Sequence, residues 1–150
     1  MEVHLNFEHG EGRLSPLPLR ELALFVLAHQ GLPPHTEVSV TFVTDERMAE
    51  LNEEFRGIAG ATDVLSFECD GTPGSEPGGA AYLLGDVVIA PDVAACQAQE
   101  FSTGFAEEVS LLLVHGLLHL CGHDHQEENE AQGMEDLEGD ILGTWAQQRQ

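Results

Sequence analysis

Residues 105–125 read FAEEVSLLLVHGLLHLCGHDH, an apolar run that ends in a cluster of histidines. The run predicts a long helix from about Phe105 to Cys121, with the acidic Glu107 and Glu108 near its positively polarised start. Gly122 follows where helices commonly end in a left-handed residue, a conformation that glycine adopts without strain. The stretch therefore predicts one helix with histidines in its last turns and just beyond its end.

On either side of this helix, period-two alternation predicts strands, and apolar periodicity with capping residues predicts helices. The predicted strands cover Glu2–Phe7, Glu37–Val43, Val64–Phe67 and Leu84–Ile89. The other predicted helices cover Leu19–Gln30, the residues between a Thr44 cap and Arg56, Pro91–Glu100 and Glu128–Gln147. The Gly- and Pro-rich residues 69–79 predict a mobile loop. This order predicts an α+β fold, in which about five helices pack on a small mixed four-stranded β-sheet.

Length and composition predict one domain over residues 1–150, because 150 residues and 16.2 kDa fit a single hydrophobic core. The longest apolar run, Leu22–Ala28, has seven residues, far short of the roughly 20 that cross a bilayer. The first residues are acidic and polar, unlike a secretory signal. Three widely spaced cysteines, Cys69, Cys96 and Cys121, are too few for a disulfide framework. These features predict a reduced, cytoplasmic protein without a membrane partner.

The charge balance is extreme, with 27 acidic residues against five arginines, no lysine and a formal net charge of −22. Nucleic-acid-binding proteins are expected to carry a basic patch, so composition alone argues against RNA or DNA as a partner. The alternative is that the acidity is a solubility adaptation to a salty cytoplasm, where screening shortens the reach of a charge to about 3 Å at 1 M salt.

The histidines of the stretch have the spacing of a metal site. His115 and His119 are four residues apart, so both imidazoles lie on one side of a helix, where they can share an ion. A turn at Gly122 lets the chain fold back, so that His125 supplies a third nitrogen. Three neutral imidazoles with an open coordination position are typical of a catalytic zinc ion. The alternative is that these histidines only stabilise the helix dipole or cap carbonyl groups.

Three further residues, His123, Cys121 and Asp124, lie next to this triad in the sequence. His123 competes as the third ligand because it also follows His119 by four residues, but beyond a helix end at Gly122 a structural role is favoured. Cys121 lies nearly opposite His119 on the helix and is expected to pack as a small hydrophobic residue. Asp124 either orients a ligand imidazole or caps the next helix.

Peptide hydrolysis is the less favoured reaction for such a site. The spacing His-x3-His-x2-Gly-x2-His also occurs in the metzincin peptidases, where a glutamate directly follows the first histidine as general base. Here that position is Gly116. Without a carboxylate beside the metal-bound water, hydrolysis of a peptide lacks its proton acceptor.

Other stretches carry recognisable motifs. They are LNEEFR at Leu51–Arg56, TDVLSF at Thr62–Phe67 and LGD at Leu84–Asp86, then the histidine stretch, followed by Met134 and by Ile141 with Leu142. Together these stretches, within about residues 48–142, resemble the YbeY family of bacterial endoribonucleases, also called rRNA maturation factors. Several stretches in family order are far more specific than one motif.

The resemblance implies a zinc-dependent endoribonuclease that prefers single-stranded RNA and acts in maturation of the 16S rRNA 3′ end and in late-stage ribosome quality control. It implies that His115, His119 and His125 hold one Zn²⁺ ion and that Arg56 is the functional arginine. Its implied partners are single-stranded rRNA and the small ribosomal subunit or its proteins, not DNA. The chain departs from the family pattern at His123, usually a tyrosine, and at residues 58–61, usually more polar.

For the mechanism, we expect the metal to polarise a phosphoryl oxygen while Arg56 binds another through paired N–H donors. The alternative role for Arg56 is that of a surface cation favoured by the helix dipole. Asp86 is either an acceptor for a ligand imidazole or a structural acid. No general base is identified, so attack by water and attack by the RNA 2′-hydroxyl are both open.

Two other classes of function stay open. One is a metal-dependent hydrolase of peptide or small substrates, and the other is a non-catalytic ribosome assembly factor with a structural metal. The acidity also predicts weak binding of naked RNA, so we expect affinity to depend on a local pocket around the zinc ion and Arg56, or on ribosomal proteins that deliver the chain to its target.

Overall fold

The computed structural model describes residues 1–69, 82–123 and 128–149. The helices and strands, numbered here in chain order, are β1 (Glu2–Phe7), α1 (Glu11–Leu14), α2 (Leu19–His29), β2 (Thr36–Phe42), α3 (Asp45–Arg56), β3 (Val64–Glu68), β4 (Tyr82–Ile89), α4 (Pro91–Glu100), α5 (Phe105–Leu120) and α6 (Glu128–Gln148). The loop predicted at 69–79 lies, beyond Cys69, outside the described residues.

The strands form one four-stranded sheet in the order β1-β2-β4-β3. β1, β2 and β4 are parallel, and the edge strand β3 is antiparallel to β4. The predicted α+β class and mixed sheet are therefore confirmed. The described residues contain six helices rather than about five, because the four residues of α1 are too few to show a helical period in the sequence.

One face of the sheet carries the main hydrophobic core. The inward residues of β2 alternate along the strand, as Val38, Val40 and Phe42, and each is at most 2% exposed. They pack against the apolar sides of α2 and α5, with α4 and α6 completing the layer. The helix predicted at Leu19–Gln30 is α2, and its buried residues are Leu19, Leu22, Ala23, Val26 and Leu27.

The opposite face of the sheet is covered in part by α3. The Thr44 hydroxyl accepts a hydrogen bond from the backbone N–H of Arg47 at 3.2 Å, which caps the start of α3 as its sequence predicts. Met48 is fully buried in a smaller core with Leu65 and Val88. Gly57, at a φ of 69°, ends the helix.

Close backbone contact fixes how the end of α5 meets the sheet. Gly85 has a φ of 152°, and a Cβ there would lie 2.3 Å from the carbonyl oxygen of Phe67 and 2.9 Å from Leu120 Cδ2. Only glycine fits in this position. The pairing of β2 with β4 shifts register at the same point, so the LGD motif forms a bulge under the last turn of α5.

Within the described ranges, no helix is both long enough and apolar enough to cross a membrane.

Candidate active site

His115 and His119 lie side by side near the end of α5. Their ring centroids are 6.5 Å apart, with an angle of 57° between the ring planes. Both residues are half-buried. The four-residue spacing thus places two imidazoles next to each other on one helix, which is the arrangement that the sequence predicts for two ligands of one ion.

A buried carboxylate orients His115. Glu138 on α6 is only 7% exposed, and its Oε1 lies 2.5 Å from His115 Nδ1. A carboxylate only accepts hydrogen bonds, so Nδ1 carries the proton and the neutral ring has its lone pair on Nε2. The hydrogen bond to Glu138 raises the pKa of His115 above its ordinary value of 6.5, against the opposing effect of burial. Histidines that bind metals are commonly oriented by such a carboxylate.

Asp63 adds a second negative charge near His115. It stands directly before β3, where Oδ1 accepts from the backbone N–H of Val64 at 2.8 Å and Oδ2 accepts from Gln97 Nε2 at 3.2 Å. Its charge is a further cause of the raised pKa of His115. The TDVLSF motif therefore places a fixed carboxylate beside the end of α5.

Gly116, between the two histidines, lies flush against the sheet. A Cβ at this position would come within 2.6 Å of Val87 Cγ1, and the Gly116 carbonyl accepts a hydrogen bond from Ser66 Oγ at 2.9 Å. No glutamate side chain fits in that contact. The metzincin general base is therefore missing for a steric reason, because the position belongs to the core.

The structure tests some, but not all, of the predictions for the third ligand and its neighbours. His125 and Asp124 lie outside the described residues. His123 Nε2 lies 2.9 Å from Gln30 Oε1, and this hydrogen bond to the end of α2 supports the structural role favoured for it. Gly122 has a φ of 99°, as a turn beyond the helix requires. Cys121 packs against the main core, as predicted, and burial raises its pKa to about 11.

Arg56 lies in the last turn of α3, and its side chain is exposed. In the part of the chain that the structure describes, it forms no hydrogen bond or ion pair, and no such contact joins it to His115 or His119. The loop that follows is held by Asn52, whose Nδ2 donates to the Gly60 carbonyl at 2.8 Å. Arg56 is thus a solvent-exposed cation on an anchored helix end.

A groove of about 480 Å³ opens between α3 and the sheet, with Phe55 at its edge. Phe55 and Phe67 form one wall, with ring centroids 5.0 Å apart in an edge-to-face contact. Asp86 lines this groove from the middle of β4. The acceptor for His115 Nδ1 is Glu138 rather than Asp86, and Asp86 lies within β4, as the predicted strand Leu84–Ile89 requires.

A different cluster also has ligand-like spacing. Glu2, His4 and Glu37 bring their ligand atoms within 4.8 Å of one another on the outer part of β1 and β2. Among the side chains that the structure describes, at residues 1–69, 82–123 and 132–149, this is the only group of three such residues within that distance. Glu2 and His4 are exposed, and exposed groups of this kind commonly hold no ion.

Comparison with known proteins assigns the chain to a family. Residues 17–146 match the family model described as "Endoribonuclease YbeY". A protein of that name from Thermobifida fusca is 43% identical over 133 residues, covering 85% of this chain and 83% of the relative. The chain belongs to the endoribonuclease YbeY family. The YbeY protein of Anaeromyxobacter sp. is 43% identical over 141 residues, covering 94% of this chain and 70% of its own length.

Solved structures agree on the fold of this YbeY family member. The solution structure of TM1509 from Thermotoga maritima matches with a TM-score of 0.59 at 24% identity, covering 99% of this chain and 93% of that one. Family membership also outweighs the argument from composition, because a chain with a net charge of −22 nevertheless belongs to a family of endoribonucleases.

Glu138 is the site residue that sequence reasoning missed in this YbeY family member. The spacing of α6 contains the signal, because Glu138 stands four residues after Met134 and three before Ile141, and both of these residues are buried. A carboxylate on the apolar side of a helix requires a buried partner. Its partner, His115, is 23 residues away in the sequence and is brought to it by packing of α5 against α6.

Proposed function

We propose that this chain is a zinc-dependent endoribonuclease that cleaves single-stranded RNA at the end of α5. The observation that carries the proposal is the pair His115 and His119, with His115 oriented by the buried Glu138, in a chain of the YbeY family. The proposal treats residues 1–150 as one domain, because helices from both halves of the chain pack on the same sheet.

The residues present fit a zinc ion. His115 and His119 offer neighbouring imidazoles, and the proton of His115 is held on Nδ1 by Glu138, which leaves Nε2 as the basic nitrogen. By resemblance to the family, His125 would be the third ligand. A zinc ion bound there supplies positive charge to a phosphoryl oxygen and lowers the pKa of water.

The chain's own side chains have separate tasks. Glu138 holds His115 in one orientation, Asp63 adds a negative charge near it, and the packing of Gly116 fixes the helix that carries both histidines. Arg56 binds a phosphate oxygen of the RNA through its paired N–H donors, for which its exposure leaves it accessible. Gly116 leaves no room for a glutamate base, and with no general base assigned, both water and the RNA 2′-hydroxyl are candidate nucleophiles.

The substrate that we propose is single-stranded rRNA at the 3′ end of 16S rRNA, in the cytoplasm. Its support is the resemblance of the motifs to the family of rRNA maturation factors. With a net charge of −22, the free protein repels the phosphate backbone, so it binds naked RNA weakly, and a protein of the small ribosomal subunit strengthens the encounter in the cell.

The test is cleavage of a single-stranded 16S 3′-end RNA by the zinc-loaded protein and by two histidine variants. His119→Ala removes one proposed ligand. His4→Ala is the matched control, because it removes the histidine of the other ligand-like cluster. We expect His119→Ala to lose both the zinc and the cleavage, and His4→Ala to keep both.

The opposite pattern contradicts the proposal. Loss of zinc and cleavage in His4→Ala alone would move the metal to β1 and β2. Cleavage of peptides or esters with RNA left intact would indicate the other hydrolase class. Cyclic phosphate ends would identify attack by the 2′-hydroxyl, and linear phosphate ends would identify attack by water.

A further inference from the structure

The groove between α3 and the sheet has the shape and lining of a site for a flat, partly apolar group. Phe55 is 59% exposed, and its ring is oriented by the edge-to-face contact with Phe67. Val43, Leu51 and Val88 form apolar walls. Large exposed aromatic rings are the common platform on which proteins stack the bases of single-stranded RNA.

The charges of the groove exclude a phosphate as its occupant. Two carboxylates, Glu8 and Asp86, line it, and the one guanidinium among its lining residues, Arg47, already donates to Glu50 at 3.1 Å. These carboxylates repel an anion but accept hydrogen bonds from amino groups. The Thr41 hydroxyl, also in the groove, both donates and accepts.

The groove lies one strand away from the histidines. In the edge strand β3, Val64 and Ser66 contact Gly116 of α5, whereas Leu65 and Phe67 face α3. Arg56 directly follows Phe55 at the end of α3. Phe55, which lines the groove, is therefore the sequence neighbour of Arg56, and β3 is the strand that separates the groove from α5.

We propose that this groove is a nucleobase subsite, in which a base of the single-stranded RNA substrate stacks on Phe55 and donates hydrogen bonds to Glu8 or Asp86. The proposal rests on the function proposed above. It explains how so acidic a protein engages RNA, because stacking on a neutral base does not require a basic surface.

The lining also predicts which bases the subsite prefers. Adenine, cytosine and guanine each present an exocyclic amino group, which a carboxylate accepts. Uracil has no amino group, because it presents the O4 carbonyl where cytosine has its N4 amino group, and N3–H is the one donor on its base-pairing edge. The subsite therefore favours amino-bearing bases over uracil, and Asp86→Asn reduces that preference.

The first experiment measures binding without chemistry. The probe is 2-aminopurine riboside, a fluorescent nucleoside that has no phosphodiester to cleave and is quenched when it stacks. We expect the intact protein to quench it, and Phe55→Ala to weaken that binding about tenfold. Phe55→Trp restores a stacking ring and keeps binding. Phe101→Ala is the matched control, because Phe101 is 62% exposed but stands at the end of α4.

Binding and cleavage are then compared in the same variants. With the RNA substrate, Phe55→Ala is expected to raise KM about tenfold and Phe55→Trp to recover it, at little change in kcat. Equal quenching by the intact protein and Phe55→Ala, or equal displacement of the probe by uridine and adenosine, would overturn the subsite. Quenching that depends on Phe55 in a protein that cleaves no RNA would support the subsite and contradict the proposed function.

Discussion

The two faces of the sheet hold different kinds of functional side chain. On the α5 face, His115 is held by a buried glutamate, and Gly116 packs so tightly on Val87 that no larger residue fits. On the α3 face, Phe55 and Arg56 are exposed, and the groove beside them is open to solvent. One face is fixed by packing and the other is available for contact.

This difference indicates a division of tasks. Metal ligands have to be held in one geometry, which a packed helix provides, whereas groups that bind a substrate have to be reachable. The edge strand β3 joins the two, because Ser66 contacts α5 while Phe67 faces α3. The α3 face should therefore respond to mutation through activity, and the α5 face through metal affinity and stability.

The largest expected effect is on the α3 face. Arg56→Ala removes the donors that we propose bind a phosphate oxygen, so we expect kcat/KM for RNA cleavage to fall about 100-fold. Arg56→Lys keeps the charge but not the paired donors, and should recover only part of that loss. The urea midpoint of unfolding should stay the same, because Arg56 is exposed. Wild-type cleavage by Arg56→Lys would contradict the paired contact.

On the α5 face, Glu138→Gln is expected to weaken zinc binding by about 10- to 100-fold, because the amide orients His115 less firmly than a carboxylate. Competition with a chelating dye measures the change. Glu135→Gln, an exposed position on the same helix, is the matched control and should leave zinc affinity unchanged. Equal zinc affinities in the two variants would contradict the role of Glu138 in orienting His115 for the metal.

Two glycine-to-alanine variants test how tightly α5 packs on the sheet. Gly116→Ala should lower the free energy of unfolding by about 1–3 kcal/mol, because its Cβ would lie 2.6 Å from Val87 Cγ1. Gly143→Ala in α6 has no neighbour within 4 Å and should raise it by up to about 1 kcal/mol through helix propensity. Urea titrations of the wild type and the two variants measure both changes in the free energy of unfolding. A neutral Gly116→Ala would mean that α5 is not held at this contact.

The smallest effect is the pH dependence of the metal-free protein, measured with a chelator present. The hydrogen bond to Glu138 raises the pKa of His115 above 6.5. Protonated His115 therefore stabilises the fold at pH below 6.5, and this contribution is lost as the pH rises through the raised pKa. The stability difference between wild type and Glu138→Gln should shrink over that range. A difference that is constant with pH would contradict the pair.

Much of the fold was readable in the sequence because its signals are local. The alternation of Val38, Val40 and Phe42 predicts β2, and Thr44 with Gly57 marks the limits of α3. The strand order and the bulge at Gly85 depend on contacts between segments that are distant in the sequence, so no local sequence pattern predicts them.

The candidate site shows the same division. The spacing of His115 and His119 predicts neighbouring imidazoles, because both stand on one helix. The partnership of His115 with Glu138 and the groove between α3 and β4 exist only after the helices pack. The argument from composition against an RNA partner failed because the net charge is a property of the whole surface, whereas RNA contact needs only a small part of that surface.

The most direct test of the metal centre is a zinc titration followed by NMR of the histidine side-chain nitrogens. We predict that one equivalent of zinc shifts the Nε2 signal of His115 and one ring-nitrogen signal of His119, and leaves Nδ1 of His115 protonated toward Glu138. His4, in the exposed cluster on β1 and β2, should stay unchanged. A shift at His4 with none at His115 and His119 would contradict the account.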